Sequence, residues 1–450
     1  MSMQSGSARG WIVVALLFFF MMVNYADKAV LGLIAVPMMR DMKLTATQFG
    51  LIGSAFYLLY SLSGIGFGAI TRYVKTRWLL TLLALIWAAV QFPMAAPVSF
   101  GTVIVCRVLL GLGEGPAYPV ALHAAYKWFD DHKRNVPTTL IQIGAAAGVV
   151  VAAPALTYIT DAYSWRAAFF ALGVVGLIWV ALWLALGAEG GQTKAHHSSA
   201  TAVELDGAAG EVRFVSLLLD PTVVGVMLQW FLASLVTVIA LAWGPVYMRM
   251  GLAYGARAAG WIFGLQVAVQ IPVGLALSVV SQHLIGRGVS TRVARGMFCS
   301  VCCLIGGLSY VALLTELPHG AKVALMTLGG SLIMQINSFG PQLIAEITPE
   351  RQRGTLLAVV VSVAGMAGLI APVLMGWVLD AMGGVHSNGY SIAFASIGAL
   401  LIVAAALGMV LLDPGRSKRR LSALVPRDDA GTGTESKALM DSESEIAGLS

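Results

Sequence analysis

Apolar stretches of about 20 residues recur along the whole of this 450-residue chain. That is the length a helix needs to cross a hydrocarbon core about 30 Å thick at 1.5 Å per residue. Twelve such stretches can be laid out, at roughly 11–36, 48–70, 77–97, 99–126, 136–160, 165–187, 221–248, 257–284, 293–315, 320–346, 354–379 and 389–412. Inside a bilayer every backbone N–H and C=O must be satisfied within the protein, so runs of this length fold as helices. Composition agrees: 58% of residues are apolar and 11% are charged, against the ~25% charge of a soluble domain. The expectation is an all-α integral membrane protein with twelve transmembrane helices, its partner the lipid bilayer. The first run continues past Asp27 without a small-residue cleavage site, so it is expected to remain a span.

Placing both termini in the cytoplasm puts 20 of the 28 Lys and Arg in the inner segments, six in the outer loops and two, Lys28 and Arg107, within spans. That asymmetry fixes the orientation. The net charge of +6 therefore reflects topology; nucleic acid, which needs a contiguous basic face, is excluded as a partner. The four cysteines, Cys106, Cys299, Cys302 and Cys303, all lie in apolar runs and read as buried small hydrophobes. One helix cannot wrap zinc in four ligands, and no His or carboxylate accompanies them, so no metal is expected.

The two halves of the chain repeat. Arg134 and Arg353, Asp161 and Asp380, and Pro154 and Pro372 recur at a spacing of about 219, with glycine pairs Gly144/Gly148 and Gly365/Gly368 between them. Six spans repeated in the same orientation imply two six-helix bundles related by an axis along the membrane normal. The divisions expected are an N-terminal bundle at 1–187, a cytoplasmic linker at 188–217, a C-terminal bundle at 218–413 and a disordered tail at 414–450. The linker's His196 and His197 read as solvated. In the tail, Arg416, Lys418, Arg419 and Arg420 read as a juxtamembrane anchor ahead of an acidic end. Two bundles in one chain require no partner subunit, so a monomer is expected. They can rock about a central site and open it to either side in turn.

Ionisable side chains at membrane depth cost several kcal/mol and mark functional sites. Four occur, all in the first half: Asp27 and Lys28, then Arg107 and Glu114. Arg107 and Glu114 are seven residues apart, two helical turns, and share a face about 10 Å apart in height. Asp27 and Arg107 stand at about the same depth, so a facing pair is expected in which each relieves the other's desolvation. Glu114 has no assigned cation besides Arg107, and Gly111, Gly113, Gly115 and Pro116 thin and bend the helix around it, so it is expected to exchange a proton near neutral pH. The opposing reading is a static network that fixes helix packing. Tyr25 and Tyr60 either add hydroxyls to the site or sit as interface aromatics. In the second half Trp243, Gln266, Gln270, Asn337 and Ser338 are the neutral candidates for shaping a substrate, or else hold helices together.

Several stretches, taken in order, resemble the major facilitator superfamily, and within it the anion:cation symporters that include sugar-acid transporters, sialin and vesicular glutamate transporters. They are Asn24-Tyr25-Ala26-Asp27-Lys28, Ser54-Ala55-Phe56 with Tyr60, Arg107 through Glu114 to Pro119, Trp128-Phe129 with Arg134, Trp165-Arg166 with Phe169, Trp243 through Pro245 to Tyr247, and Glu346 through Pro349 to Arg353-Gly354. The resemblance covers about residues 11–412. It implies a carrier of small organic anions in the bacterial inner membrane, driven by protons or, as in some relatives, by sodium or the membrane potential, with no other cofactor. It places Asp27 and Glu114 on the family's protonating carboxylates, Arg107 on its fourth-helix arginine, and Tyr25 and Tyr60 on site tyrosines. Lys28 stands where the family usually has an arginine that anchors the substrate carboxylate, and so loses the bidentate fork.

Other departures follow. The loop between the second and third spans reads Thr71-Arg72-Tyr73-Val74-Lys75 without the usual Asp, and that between the eighth and ninth has Ser281-Gln282-His283. The latch those loop charges usually form must differ here. The eleventh span has Val361 through Gly365 where relatives carry an Asn, which makes a smaller or more apolar carboxylate competitive with a sugar acid. A rival reading is proton-driven efflux, but Gly148 through Pro154 replaces the fifth-helix motif of drug antiporters. No Gly-x-Ser-x-Gly, His-Glu-x-x-His or phosphate loop supports an enzyme.

Overall fold

The computed structural model describes residues 3–70, 74–129, 133–190, 213–385 and 388–423. Among these it is helical, without strands, and eleven helical segments are long and apolar enough to cross a membrane. They are Ala8–Met42, Thr76–Met94, Phe100–Tyr126, Val136–Ala162, Trp165–Leu186, Pro221–Gly251, Ala256–Gly286, Arg292–Leu314, His319–Ile347, Gln352–Ala381 and Gly389–Leu411. With the helix Ala46–Ile70, whose 25 residues are long enough to cross, they match the twelve expected spans in order, and ordinals below refer to that order. The first helix runs further than expected at both ends, to Met42, because helices persist past the hydrocarbon edge.

Local chemistry sets the ends. Ser99 and Ser164 accept hydrogen bonds from the amides of Thr102 and Ala167 at 3.2 Å, and Asp220 accepts from Thr222 at 2.9 Å with Pro221 in the first turn. The fourth span breaks after Glu114 and resumes at Ala117, the bend expected from Gly115 and Pro116.

Alternating spans put one set of helix ends on the face shared by the chain's two ends, here the terminal face, and the other set on the opposite face. The halves meet near the opposite face, through glycines. Gly50 and Gly53 of the second span lie on Pro372 of the eleventh, and Gly376 of the eleventh lies on Ala46. Gly32 of the first packs on Leu241 and Ala242 of the seventh, and Gly260 and Gly264 of the eighth pack on the fifth between Val150 and Thr157. Asp380 closes the seam: its Oδ1 accepts the amide of Ala46 at 3.0 Å and its Oδ2 that of Thr47 at 2.8 Å, across the two halves. Towards the terminal face, Gln142, Thr237, Asn337 and Ser338 are exposed although they lie within spans. Polar groups facing lipid would be costly, so these face a cleft between the halves.

Two details on the terminal face refine the expected divisions. The segment 188–217 does not leave the first half at once: Glu189 caps the third span, accepting the amides of Thr76 at 3.3 Å and Arg77 at 2.9 Å, and pairs with Lys127. Burial pushes the Glu189 carboxyl up, but the hydrogen bonds from Lys127, the Arg77 amide and Thr76 outweigh it and hold it below its ordinary range. Residues 414–422, assigned to a disordered tail, form a helix pinned by Ser417, which donates to Asp220 at 2.6 Å, and by Lys418, 3.3 Å from Glu346. Thr71, Arg72, Tyr73, His196, His197 and the acidic end of the tail lie outside the described residues.

Candidate functional site

The four intramembrane charges meet in the first half, where the first, second, third and fourth spans converge. Close approach of the second and fourth spans builds the floor. Gly111 and Gly115 lie against the backbone of Phe56 and Tyr60, where any side chain would collide. Asp27 and Glu114 are each 1% exposed and Arg107 3%.

The pairing differs from the expected one. Glu114 has a cation beside it after all: Lys28 Nζ lies 3.7 Å from its Oε2. Arg107, two turns along the same helix, acts on Glu114 through its charge, while the four-carbon stem of Lys28 crosses between spans to pair with it directly. Neither oxygen of Glu114 accepts a hydrogen bond. Lys28 itself donates to Asn24 Oδ1 at 2.9 Å and to the Tyr60 hydroxyl at 3.4 Å. Its ammonium stands 4.3 Å from the ring centre of Tyr25 and 4.9 Å from that of Tyr60, so both expected tyrosines belong to the cluster as a cation–π cage.

Asp27 does not pair directly with Arg107. Its Oδ1 accepts from Gln91 Nε2 of the third span at 2.9 Å. Glu114, Arg107 and Lys28 act on it through their charges. Arg107 lies 5.0 Å over the Phe56 ring, and its Nε and Nη1 have no partner. A cavity of about 20 Å³ separates Arg107 and Lys28 from the second half, with Leu31, Phe56, Tyr57 and Pro372 in its walls. That volume suits one water and is too small for an organic ion.

The neutral candidates of the second half are not brought to these charges. Trp243 is buried in the seam, its indole N–H donating to the Pro372 carbonyl at 3.0 Å and its ring 5.0 Å from Phe49. In this arrangement its single donor is engaged by backbone across the seam. Gln266 donates to Val323 O at 3.4 Å, and Asn337 to Met334 O at 3.2 Å in its own helix. Gln270 approaches Gly330, and Ser338 is exposed beside Asn337.

Sequence reading missed Gln91 and Tyr57. Gln91 is a lone amide in the apolar run Leu79–Met94, and that was its signal. Tyr57 carried none, being one of several aromatics in its span.

Comparison with known proteins bears on this arrangement. The chain is 24% identical over 407 residues to the hexuronate transporter of Bacillus subtilis, covering 87% of this chain and 92% of that protein. It is 26% identical over 418 residues to the probable sulfoacetate transporter SauU of Cupriavidus necator, covering 89% and 93%. Its fold matches that of a bacterial homologue of the human lysosomal transporter Spinster in an inward-facing, unoccupied conformation, with a TM-score of 0.74, 16% identity, and coverage of 93% and 99%. Residues 17–342 match the family profile of the Major Facilitator Superfamily, and with twelve spans in two halves around a buried charge cluster the chain belongs to that family of membrane transporters.

Proposed function

We propose that this transporter takes up a small organic anion together with protons, by alternating access. The observation that carries the reading is the charge cluster: a buried guanidinium with two unpartnered donor atoms, beside a lysine held by a carboxylate that accepts no hydrogen bond. A buried cation left open is a seat for an anion, and a buried carboxylate without hydrogen bonds is easily protonated. In this scheme Asp27 and Glu114 load protons, and Lys28 and Arg107 bind the anionic head. Protonating Glu114 removes the charge that holds Lys28 and leaves the ammonium for substrate; deprotonation returns Lys28 to Glu114 and expels it. Tyr25 and Tyr60 keep the lysine in place, and Gln266 and Asn337 reach the substrate only from the cleft side. The relatives named for hexuronate, galactarate or D-glucarate, and sulfoacetate all handle organic anions, which supports the substrate class.

Residues 1–187 and 218–413 are then the two moving bodies, joined by 188–217, in a monomer within the bacterial inner membrane whose terminal face is cytoplasmic. The test is uptake into proteoliposomes after a pH jump, with a panel of sugar acids, dicarboxylates and aromatic acids. An inward proton gradient should drive accumulation of one acid, and Glu114→Gln should keep exchange while losing accumulation. Accumulation that survives in Glu114→Gln removes that residue from coupling, and no movement of any acid overturns the uptake reading.

A further inference from the structure

We infer that Gln91 is a positioning residue for the protonation of Asp27, its amide holding the charged carboxylate through Nε2 and, after a half-turn of the amide plane, the neutral carboxyl through Oε1. The inference rests on the reading of Asp27 as a proton-carrying group.

Gln91 is 1% exposed, three residues from the end of the third span at Met94. Its Nε2 donates to Asp27 Oδ1 at 2.9 Å, while its Oε1 is buried without a partner. An amide in hydrocarbon with one end empty costs free energy, and a methionine would fill the same space without that cost. The groups that act on Asp27 are Glu114 and Arg107 from the fourth span, Lys28 from its own, and Gln91 from the third. Of these only Gln91 is neutral by nature, and its amide offers both a donor and an acceptor to one carboxyl.

That double capacity is what a proton carrier needs. An ionised carboxylate only accepts hydrogen bonds, whereas a protonated one must also donate. A lysine or arginine in place of Gln91 would favour the ionised form alone, and an aliphatic side chain would favour the neutral form. An amide turning about its last side-chain torsion serves both, because that rotation is broad and two-fold. The empty Oε1 then has a use: it is the acceptor waiting for the Asp27 O–H. The exchange moves one proton from the aqueous phase onto an Asp27 carboxylate oxygen, makes or breaks no other covalent bond, and trades the hydrogen bond from Nε2 for one to Oε1.

Infrared difference spectroscopy of the purified protein over a pH titration tests this without requiring transport. The protonated-carboxyl band of Asp27 is identified by its loss in Asp27→Asn. In Gln91→Met both forms lose a hydrogen bond, but the charge-assisted one to the ionised form is the stronger, so the midpoint of that band should move up by about one pH unit, a tenfold change in proton affinity. Gln91→Asn, one methylene too short, should do the same, and Gln91→Asn combined with Asp27→Glu should restore the wild-type midpoint. A midpoint unchanged in both single variants overturns the inference even if wild-type uptake is proton-driven. A band that shifts as expected while wild-type uptake ignores the proton gradient sustains it and sinks the uptake reading instead. Absence of any titrating Asp27 band overturns it outright. A purely structural Gln91 would lower yield or rate without moving the midpoint.

Discussion

Gly50→Ala should change the balance between conformations rather than the stability of either half. A Cβ at Gly50 would stand 2.8 Å from both the carbonyl carbon of Pro372 and the Cα of Val373, and nearer still to the Pro372 oxygen, all backbone atoms of the other half. Ordinary contact begins at 3.4 Å, so the helices must part by at least the difference, and a helix backbone cannot yield as a side-chain tip does. Overpacking of this kind costs about 1–3 kcal/mol. The cost falls only on the state in which the halves touch at the opposite face, because parting them there relieves it. The equilibrium should therefore move about 5- to 150-fold toward the state open at that face. Spin labels on cysteines introduced at Lys43 and Met382, both exposed at that face, report the change, since the four native cysteines are buried. Gly50→Ala should add a longer-distance population, with thermal stability largely retained. Gly111→Ala is the control: its Cβ meets the Phe56 backbone within the same half, so no conformer relieves it and the folded yield should fall. If Gly50→Ala loses folded protein as Gly111→Ala does, with no longer distances, the seam does not separate and the reasoning fails.

Two further outcomes follow. Asp380→Asn leaves one acceptor where two oxygens held the amides of Ala46 and Thr47, and removes the charge from a helix N-terminus; at this exposed site the loss is about 1 kcal/mol, read as a roughly fivefold rise of the same long-distance population. Glu189 is held below its ordinary value in the folded protein, so its contribution is present above the unfolded carboxyl's value of 4.5 and is lost as pH falls through the lower folded value. Thermal unfolding of wild type should thus approach that of Glu189→Gln as pH drops below about 4.5, and two curves that stay parallel there would contradict the assigned role.

Much of this molecule is legible in its sequence because a bilayer leaves the backbone so few choices. Twelve apolar runs mark the spans, and Gly115 with Pro116 marks the break in the fourth. The membership of the charge cluster is legible for the same reason, since Asp27, Lys28, Arg107 and Glu114 stand out in hydrocarbon. Who pairs with whom is not. Depth can be counted along a helix, but rotation about its axis is set by packing, and it is the rotation of the first span that turns Lys28 to Glu114 and Asp27 to Gln91. Trp243 is opaque for a related reason: a tryptophan in a span reads alike whether its N–H meets a substrate or, as here, the backbone carbonyl of Pro372 across the seam. The helix at 414–422 was hidden because its anchors, Asp220 and Glu346, are distant in sequence.

The charges and the seam belong to different parts of the machine, and transport requires that each sense the other. All four charges sit on the first half, whereas the contacts that form and break lie between halves. Coupling needs an element that both biases act upon. Tyr57 stands at that junction. Its ring lies 5.8 Å from Tyr60, which cages Lys28, and 4.9 Å from Phe56, which carries Arg107. On its other side Gly368 of the eleventh span presses so closely that a Cβ there would come within 2.6 Å of the ring's Cε1. Gly368 is one of the repeat's glycines; its counterpart Gly148 instead packs on Met22 inside the first half. The repeat thus supplies the same device twice for different ends. In one half it fixes a bundle, and in the other it sets a wall from the second half against the ring beside the lysine cage. Under the alternating-access scheme proposed above, parting the halves would take that wall from Tyr57 and so reshape the space beside Lys28 and Arg107 together with the seam.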